Sequence, residues 1–361
     1  MPRHDRRRFL TRTMLCGLAM TVGKAGGLGQ PVVPEAGHAI KRDLPVEYEL
    51  IRAGCLAANS HNAQAWHFHA APGRISIRAD EARRCPEVDP HDHHLWVSIG
   101  CAVENIVQAA PGLGRKADVA VSRTDRPEVF ISLTETAERT TTPLARFIAS
   151  RQSTRNVYDG QPVPAPDLAR LEAVAAGAGV EATVITDPTR RSRVEALILE
   201  ANAAQVGSAA FRSELKHWLR FNETDARRHG DGLFSACSGN PTLPTWMGNL
   251  LFDWLYTVES ANETLNEQLR SASALILLHS ARNDVWQWIN VGRSTQRLAL
   301  QVTALGIKMA FVNQPLEVES FRPRLLSALD LNDRDPDILI RIGYAPAMPS
   351  SFRRPTDSVL I

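Results

Sequence analysis

Long apolar runs, paired cysteines and a surplus of either charge are all missing from this 361-residue chain. No stretch approaches the roughly 20 apolar residues that a membrane span needs. Basic and acidic residues number 41 and 39, a net charge of +2. That argues against a nucleic-acid surface as the main business of the chain. The five cysteines, Cys16, Cys55, Cys85, Cys101 and Cys237, include no Cys-x-x-Cys pair, so neither a zinc ribbon nor a thioredoxin-like motif is signalled. A P-loop, a dinucleotide-binding glycine pattern and a Ser-His-Asp order are absent from convincing contexts. What remains is a composition 44% apolar, enough for a sizeable core. The length exceeds one average domain and falls short of three.

The first thirty residues read as an address. Arg6, Arg7 and Arg8 precede Phe9 and Leu10, and a short apolar run follows from Met14 to Val22. This layout is that of a secretory signal. The arginine pair, one residue and then Phe-Leu resemble a twin-arginine export signal. Residues 1–30 are therefore expected to engage the twin-arginine (Tat) export machinery and direct the protein to the periplasm. Lys24 interrupts the region where a small-x-small cleavage site would sit, which leaves an uncleaved membrane tether open. In an exported protein the four remaining cysteines could pair; the alternative is buried free thiols, a common fate of cysteine.

An internal repeat follows. The segments beginning at Trp96 and Trp288 align at a constant offset of 192 residues. Trp96, Gly100, Leu113, Gly114 and Lys116 match Trp288, Gly292, Leu305, Gly306 and Lys308 without a gap. In the first copy Trp96, Ile99, Gly100, Val103, Ile106, Val107 and Ala110 fall at the spacing of one buried helical face. The first helix is expected to stop at Pro111-Gly112 and the second at Gly306. A glycine inside each helix costs about 1 kcal/mol of propensity, and close approach of the two helices would explain it. Runs at 74–79 and 128–133 flank the first copy, and runs at 274–280 and 337–343 flank the second; all four read as strands. Helices are expected from Leu168 and from Arg191. The pattern predicts mixed α+β layers in two tandem halves, residues 45–140 and 143–361.

Three further motifs carry a family resemblance. RQSTRNVYDGQPV from Arg151 resembles the R-x-S-x-R arm of nitroreductase domains. ANSHNAQAW from Ala58 resembles the same family's P-S-x-x-N-x-Q-P-W loop. LIRIGYAP and the later FRRP resemble its last strand and basic tail. With the repeat, they cover most of residues 45–361. The fused arrangement looks like the Acg-type branch, in which two nitroreductase-like halves imitate a homodimer within one chain. That resemblance implies a nitroreductase-like fold, an intrachain pseudo-dimer and an FMN cofactor. The arm and tail lie in the second half and the loop in the first, so one composite site is complete. No second arm precedes residue 45, which implies one FMN per chain.

Residue by residue, the resemblance places Arg151, Ser153, Arg155 and Arg353 at the phosphate, with Arg354 as a helper, and Gln152 at the pyrimidine edge of the ring. Arg151 and Arg155 are expected on a single helical turn, offering planar bidentate donors to one anion. Asn59, Ser60 and Asn62 match loop positions that touch flavin, while Gln64 and Trp66 fix the loop. Asn313 and Gln314 stand where the family directs backbone N–H groups to flavin N5. Departures are Ala58 and Ala65 for the usual prolines, Gln314 for a common glycine and Ser351 for a basic residue. The implied activity is FMN-dependent reduction of a nitroaromatic, quinone or similar small-molecule electron acceptor, with no residue named as catalytic. The alternative is a flavin-sequestering or cofactor-free binding protein, because residues 211–256, rich in large apolar side chains, read either as a lid over the site or as ordinary packing. His91, His93 and His94 beside Asp92 read either as a zinc or copper cluster or as solvated residues at a helix start. No metal is assigned.

Overall fold

The computed structural model describes residues 43–122 and 124–361. The expected signal at 1–30 and Cys16 lie outside the described residues. The chain opens with α1 (Pro45–Cys55), β1 (Trp66–Ala71), β2 (Arg74–Ala79), α2 (His93–Ala109), β3 (Arg115–Val121) and β4 (Val129–Glu135). It continues through α3 (Ala165–Ala175), β5 (Val180–Ile185), α4 (Pro188–Gly207) and α5 (Ala209–Trp218). The short elements β6 (Leu219–Arg220), α6 (Glu223–His229) and β7 (Leu233–Phe234) follow, then α7 (Thr245–Leu255) and α8 (Val258–Arg270). Last come β8 (Ala274–Ser280), α9 (Val285–Ala304), β9 (Lys308–Phe311), α10 (Gln314–Glu317), α11 (Arg322–Leu329) and β10 (Asp335–Gly343).

Two four-stranded antiparallel sheets result, in the orders β1-β2-β4-β3 and β5-β8-β10-β9. Each sheet places its own first, second, fourth and third strands side by side. In each, a long helix, α2 or α9, connects the second strand to the third. All seven residues of β8 are buried. The two-residue period of a strand splits them between two cores. Ala274, Ile276 and Leu278 join the core shared with α2 and α9, while Leu275 and Leu277 join one with residues of α4, α8 and α11.

The helices α2 and α9 cross at their repeat glycines. A β-carbon added to Gly100 would fall against the Ile289 carbonyl oxygen and 2.9 Å from Gly292 Cα; one added to Gly292 would fall against the Val97 carbonyl oxygen and 2.9 Å from Cys101 N. Cys101 Sγ donates to the Gly292 carbonyl at 3.2 Å. Positions equivalent in the sequence repeat carry bonds across the crossing. Glu104 accepts from Arg293 Nε at 3.0 Å and from Arg297 Nη1 at 3.2 Å. At the positions equivalent to Glu104 and Arg297, Gln296 donates to Asn105 Oδ1 at 2.7 Å.

The structure refines several sequence expectations. Helix α2 is buried on every side from His93 to Ile106, so its apolar face is wider than the spacing alone indicates. The α-helix ends at Ala109, two residues before Pro111, and the chain tightens into a 3₁₀ turn, Ala110–Leu113, where the missing proline N–H is harmless. The helical runs stop at the repeat glycines Gly114 and Gly306, both at φ +71°. Strands β1, β3, β5 and β9 were not signalled, since short half-exposed strands carry little pattern. Cys55, Cys85, Cys101 and Cys237 are free and buried. Among the described residues no helix is long and apolar enough to cross a membrane.

Because the added atom meets backbone, which yields less than a side chain, even Gly100→Ala or Gly292→Ala should destabilise. Overpacking of this kind costs about 1–3 kcal/mol. A thermal melt of each variant is expected to show a lowered midpoint. An unmoved midpoint would mean the helices do not touch there.

Candidate functional site

The loop after α1 is strained and heavily bonded. His61, Asn62 and Gln64 all have positive φ, at 48°, 54° and 54°, a conformation that costs non-glycine residues of order 1–3 kcal/mol each. Bonds from several directions hold it. Asn59 Oδ1 accepts from Gln64 N at 2.9 Å, and Ala58 N donates to Gln296 Oε1 of α9 at 3.2 Å. Ser60 N donates to Ser98 Oγ of α2 at 3.1 Å. Gln64 Nε2 donates to the Gly230 carbonyl at 2.8 Å, and its Oε1 accepts from Arg354 N at 2.9 Å. Asn62 spends its whole amide on protein. Nδ2 donates to the carbonyls of Gly232 and Phe352, at 3.0 and 2.9 Å, and Oδ1 accepts from Arg353 Nη1 at 2.5 Å. Asn62, expected to touch a ligand, lines the arginine cavity described below and holds Arg353.

The arm from Arg151 to Arg155 has no regular secondary structure, not the helical turn expected from the i, i+4 spacing. Thr154 N donates to the Met309 carbonyl of β9 at 2.8 Å, which ties the arm to that strand. It still delivers Arg151, Gln152, Ser153 and Arg155 to one cavity of about 640 Å³, which Arg353, Asn59, Asn62 and Ser351 also line. Arg353 donates to the Cys55 carbonyl at 3.1 Å, and Arg151 Nη2 to the Leu56 carbonyl at 3.2 Å. Arg151 Nε is buried without a partner. Among the described residues no carboxylate is within ion-pair distance of Arg151, Arg155 or Arg353. Burial pulls Arg151 down to about 10, and burial with the nearby Arg151 charge pulls Arg353 down to about 9; burial lowers Arg155 as well. Arg151 and Arg353 are still cations at neutral pH, and the depression of all three reflects the solvation each has given up. Gln152, expected at a ring edge, lines this arginine cavity. Its amide is taken up by Met348, donating at 3.0 Å and accepting at 2.7 Å. Arg354 turns away, to Asp80 at 3.5 Å and the Gln64 carbonyl at 3.2 Å.

A second cavity of about 1100 Å³ adjoins the first, sharing Ala58, Asn59, Arg155 and Leu233 in its walls. Ser60, Asn313 and Gln314 line it. Asn313 Oδ1 accepts from Leu339 N at 2.9 Å, whereas Gln314 Oε1 is buried without a partner. All ten candidate residues thus line one or other of two contiguous cavities. Sequence reasoning missed His61, His94 and Glu317, which line the second. Burial, Arg155 and His94 push His61 down to about 4, and burial raises Glu317. The signal for His61 was its place inside the loop motif; Glu317 had only its distance of three from Gln314.

The histidines before α2 are not a solvated cluster. His93 and His94 are buried and stacked 4.9 Å apart, and each bonds Asp337, His93 Nε2 to Oδ1 at 3.0 Å and His94 Nε2 to the carbonyl at 3.3 Å. Burial pushes His93 down to about 3 and Asp337 up to about 7. His91 alone stays outside, 3.0 Å from Glu319. Among the described residues no group of three or more His, Cys, Asp or Glu side chains is placed to hold a metal ion.

Residues 211–256 combine both expected characters. Trp218, Phe221 and Phe234 are buried, Phe211, Leu215, Leu233 and Tyr256 wall the cavities, and Trp246 and Trp254 stand exposed. Asp231 anchors the segment through Arg83 and through Arg220, the latter at 2.6 Å.

Two antiparallel sheets joined through crossing helices, with an arginine-lined cavity adjoining a larger one, make this an α+β protein. The chain belongs to the nitroreductase family, an oxidoreductase class whose sequence profile matches residues 148–344, more than half of the chain. A Mycobacterium tuberculosis protein bearing the name NAD(P)H nitroreductase, found in strains H37Rv and CDC 1551, is 23% identical over 318 residues. The match spans 84% of this chain and 88% of the relative. Among solved structures, the chain is similar to a Bacteroides fragilis nitroreductase with bound FMN, at 15% identity and a TM-score of 0.36, over 59% of this chain and 96% of that one. It is also similar to an FMN-dependent nitroreductase of Mycobacterium smegmatis in complex with NADPH, at 17% identity and a TM-score of 0.37, over 57% and 92%.

Three desolvated cations without a carboxylate should welcome any phosphate. Inorganic phosphate is expected to raise the melting midpoint of the ligand-free protein. Arg151→Gln should abolish most of that rise, and equal rises in both proteins would exclude the arginine cavity as an anion site.

Proposed function

We propose that the protein is an FMN-dependent oxidoreductase of the nitroreductase type, reducing a nitroaromatic, quinone or similar acceptor. Its two nitroreductase-like halves would act as an intrachain pseudo-dimer with one flavin site. The observation that carries the reading is the cluster of Arg151, Arg155 and Arg353, three guanidiniums from arm and tail with no acidic partner among the described residues. A phosphate dianion would supply the missing charge.

The residues fit the cofactor at two buried orphan atoms. Arg151, whose Nε is a buried donor without a partner, lines the arginine cavity, and Gln314, whose Oε1 is a buried acceptor without one, lines the adjoining cavity. Arg151, Arg155, Arg353 and Ser153 would hold the phosphate, while Asn59, Ser60, Asn313 and Gln314 would border the ring. When bound, FMN supplies two-electron transfer at N5. The protein's part is to bind, to orient and, through Phe211, Leu215 and Tyr256, to keep water from one wall.

A cofactor-free binding role is favoured by one observation, the position of Leu233 in the walls of both cavities. The two readings separate on titration of FMN into flavin-free protein. One equivalent per chain is expected, with Arg151→Gln or Arg155→Gln weakening it about tenfold or more. That follows from roughly 1.5–3 kcal/mol per charge-assisted bond. No uptake would favour the cofactor-free reading, and two equivalents would refute the single composite site.

Export to the periplasm through the twin-arginine route is part of the proposal and rests on Arg6 to Leu10. Changing Arg6 and Arg7 together to Lys should trap folded protein in the cytoplasm, as cell fractionation would report. Unchanged export would remove this part of the reading.

A further inference from the structure

The second cavity holds one acid that the proposed function has not used. Glu317 ends the single turn of α10 that Gln314 begins, and both line the cavity. A spacing of three residues on a helix puts two side chains on one face. Gln205 Nε2, from α4, donates to Glu317 Oε2 at 2.7 Å. This fixes the carboxyl and leaves Oε1 without a bonded donor among the described residues. The same cavity is lined by apolar Phe211, Leu215 and Phe311, by the neutral imidazole of His61 and by Arg155. Such a chamber suits an uncharged planar acceptor.

Two-electron reduction of a quinone needs a hydride and one further proton. We propose that Glu317 donates that proton to a quinone-type acceptor in the second cavity, an inference that rests on the FMN-dependent reading above. The quinone receives a hydride, with its electron pair, at one oxygen from the reduced flavin. The O–H bond of Glu317 breaks, and its proton passes to the other oxygen to give the hydroquinone. The carboxylate left behind takes a proton from water. Glu317 is thus a catalytic residue and Gln205 a positioning residue.

The surroundings shift the acid towards its protonated form. Burial is the largest cause of the raised value, with Asp89, ahead of α2, and Glu214, on α5, adding to it; His94 on α2 and the bond from Gln205 oppose it. His94 is itself pushed towards its neutral form by burial and by His93, and Arg155 is the cation that lines the same cavity. A carboxyl raised in this way donates below its own ionisation and stops donating above it.

The test uses the full chain loaded with FMN, photoreduced without air and mixed rapidly with 1,4-benzoquinone. In the wild type the rate should fall as pH rises through the ionisation of Glu317. Glu317→Gln should be about a hundredfold or more slower on the acid side and flat with pH, with unchanged FMN affinity. Glu317→Asp, which keeps an acid, should retain a pH dependence. Independently of turnover, carbon-13 NMR of glutamate carboxyls in flavin-free protein should show one titrating above the usual range, absent from Glu317→Gln. Normal rates and pH profile in Glu317→Gln, or no raised carboxyl, would overturn the proposal. Failure of the wild type to take up FMN would overturn the parent reading and this one with it, a result distinguishable from FMN uptake with an indifferent Glu317→Gln.

Discussion

Two helices reach backbone contact only where neither carries a side chain, and the crossing of α2 and α9 at Gly100 and Gly292 meets that condition. The rest of the molecule is arranged around this contact. Helix α2 carries Ser98 to the loop at Ser60, and α9 carries Gln296 to the same loop at Ala58. Spreading the helices by a methyl group would therefore pull at both anchors of a loop whose backbone is already strained. Interiors are close-packed and transmit such shifts instead of absorbing them.

The crossing also shows how two similar sheets come to serve different ends. On one side, Glu104 meets Arg293 and Arg297; at the equivalent positions on the other side, Gln296 meets Asn105. The charged side closes on itself, with Arg297 also bonding the Val174 carbonyl at 3.2 Å. The neutral side has amide capacity to spare, and Gln296 and Asn105 use it to hold Ala58 and the end of α1. Positions equivalent in the repeat thus carry different polar groups at the crossing.

Much of this was legible in the sequence. The runs at 74–79 and 274–280 are strands β2 and β8 to the residue, and the Trp96 and Trp288 repeats are the central helices. These elements are long, apolar and locally patterned. The ten candidate residues line contiguous cavities because motif order records which segments converge. Roles were harder to read than places. Asn62 and Gln152 lie at the site, yet their amides serve Arg353, Phe352 and Met348, partners almost two hundred residues or more away in the chain. The arm's arginines have helical spacing, but a backbone bond to Met309 decides their conformation. His93 and His94 look solvated in sequence and are buried by Asp337, which belongs to the other sheet. Long-range partners leave no local trace.

The arginine cavity draws Asn59 and Asn62 from one stretch of the chain and Arg151, Arg155 and Arg353 from others, all within a single polypeptide. A site shared between separate subunits exists only at concentrations where the subunits associate, and every substitution in it is made twice. Covalent continuity removes both conditions. The cavity's integrity is independent of dilution, because its two sides are held at an effective concentration set by the chain itself. Its residues are also free to change one at a time, so a wall such as Leu233 or an acid such as Glu317 can be altered on one side with no counterpart elsewhere.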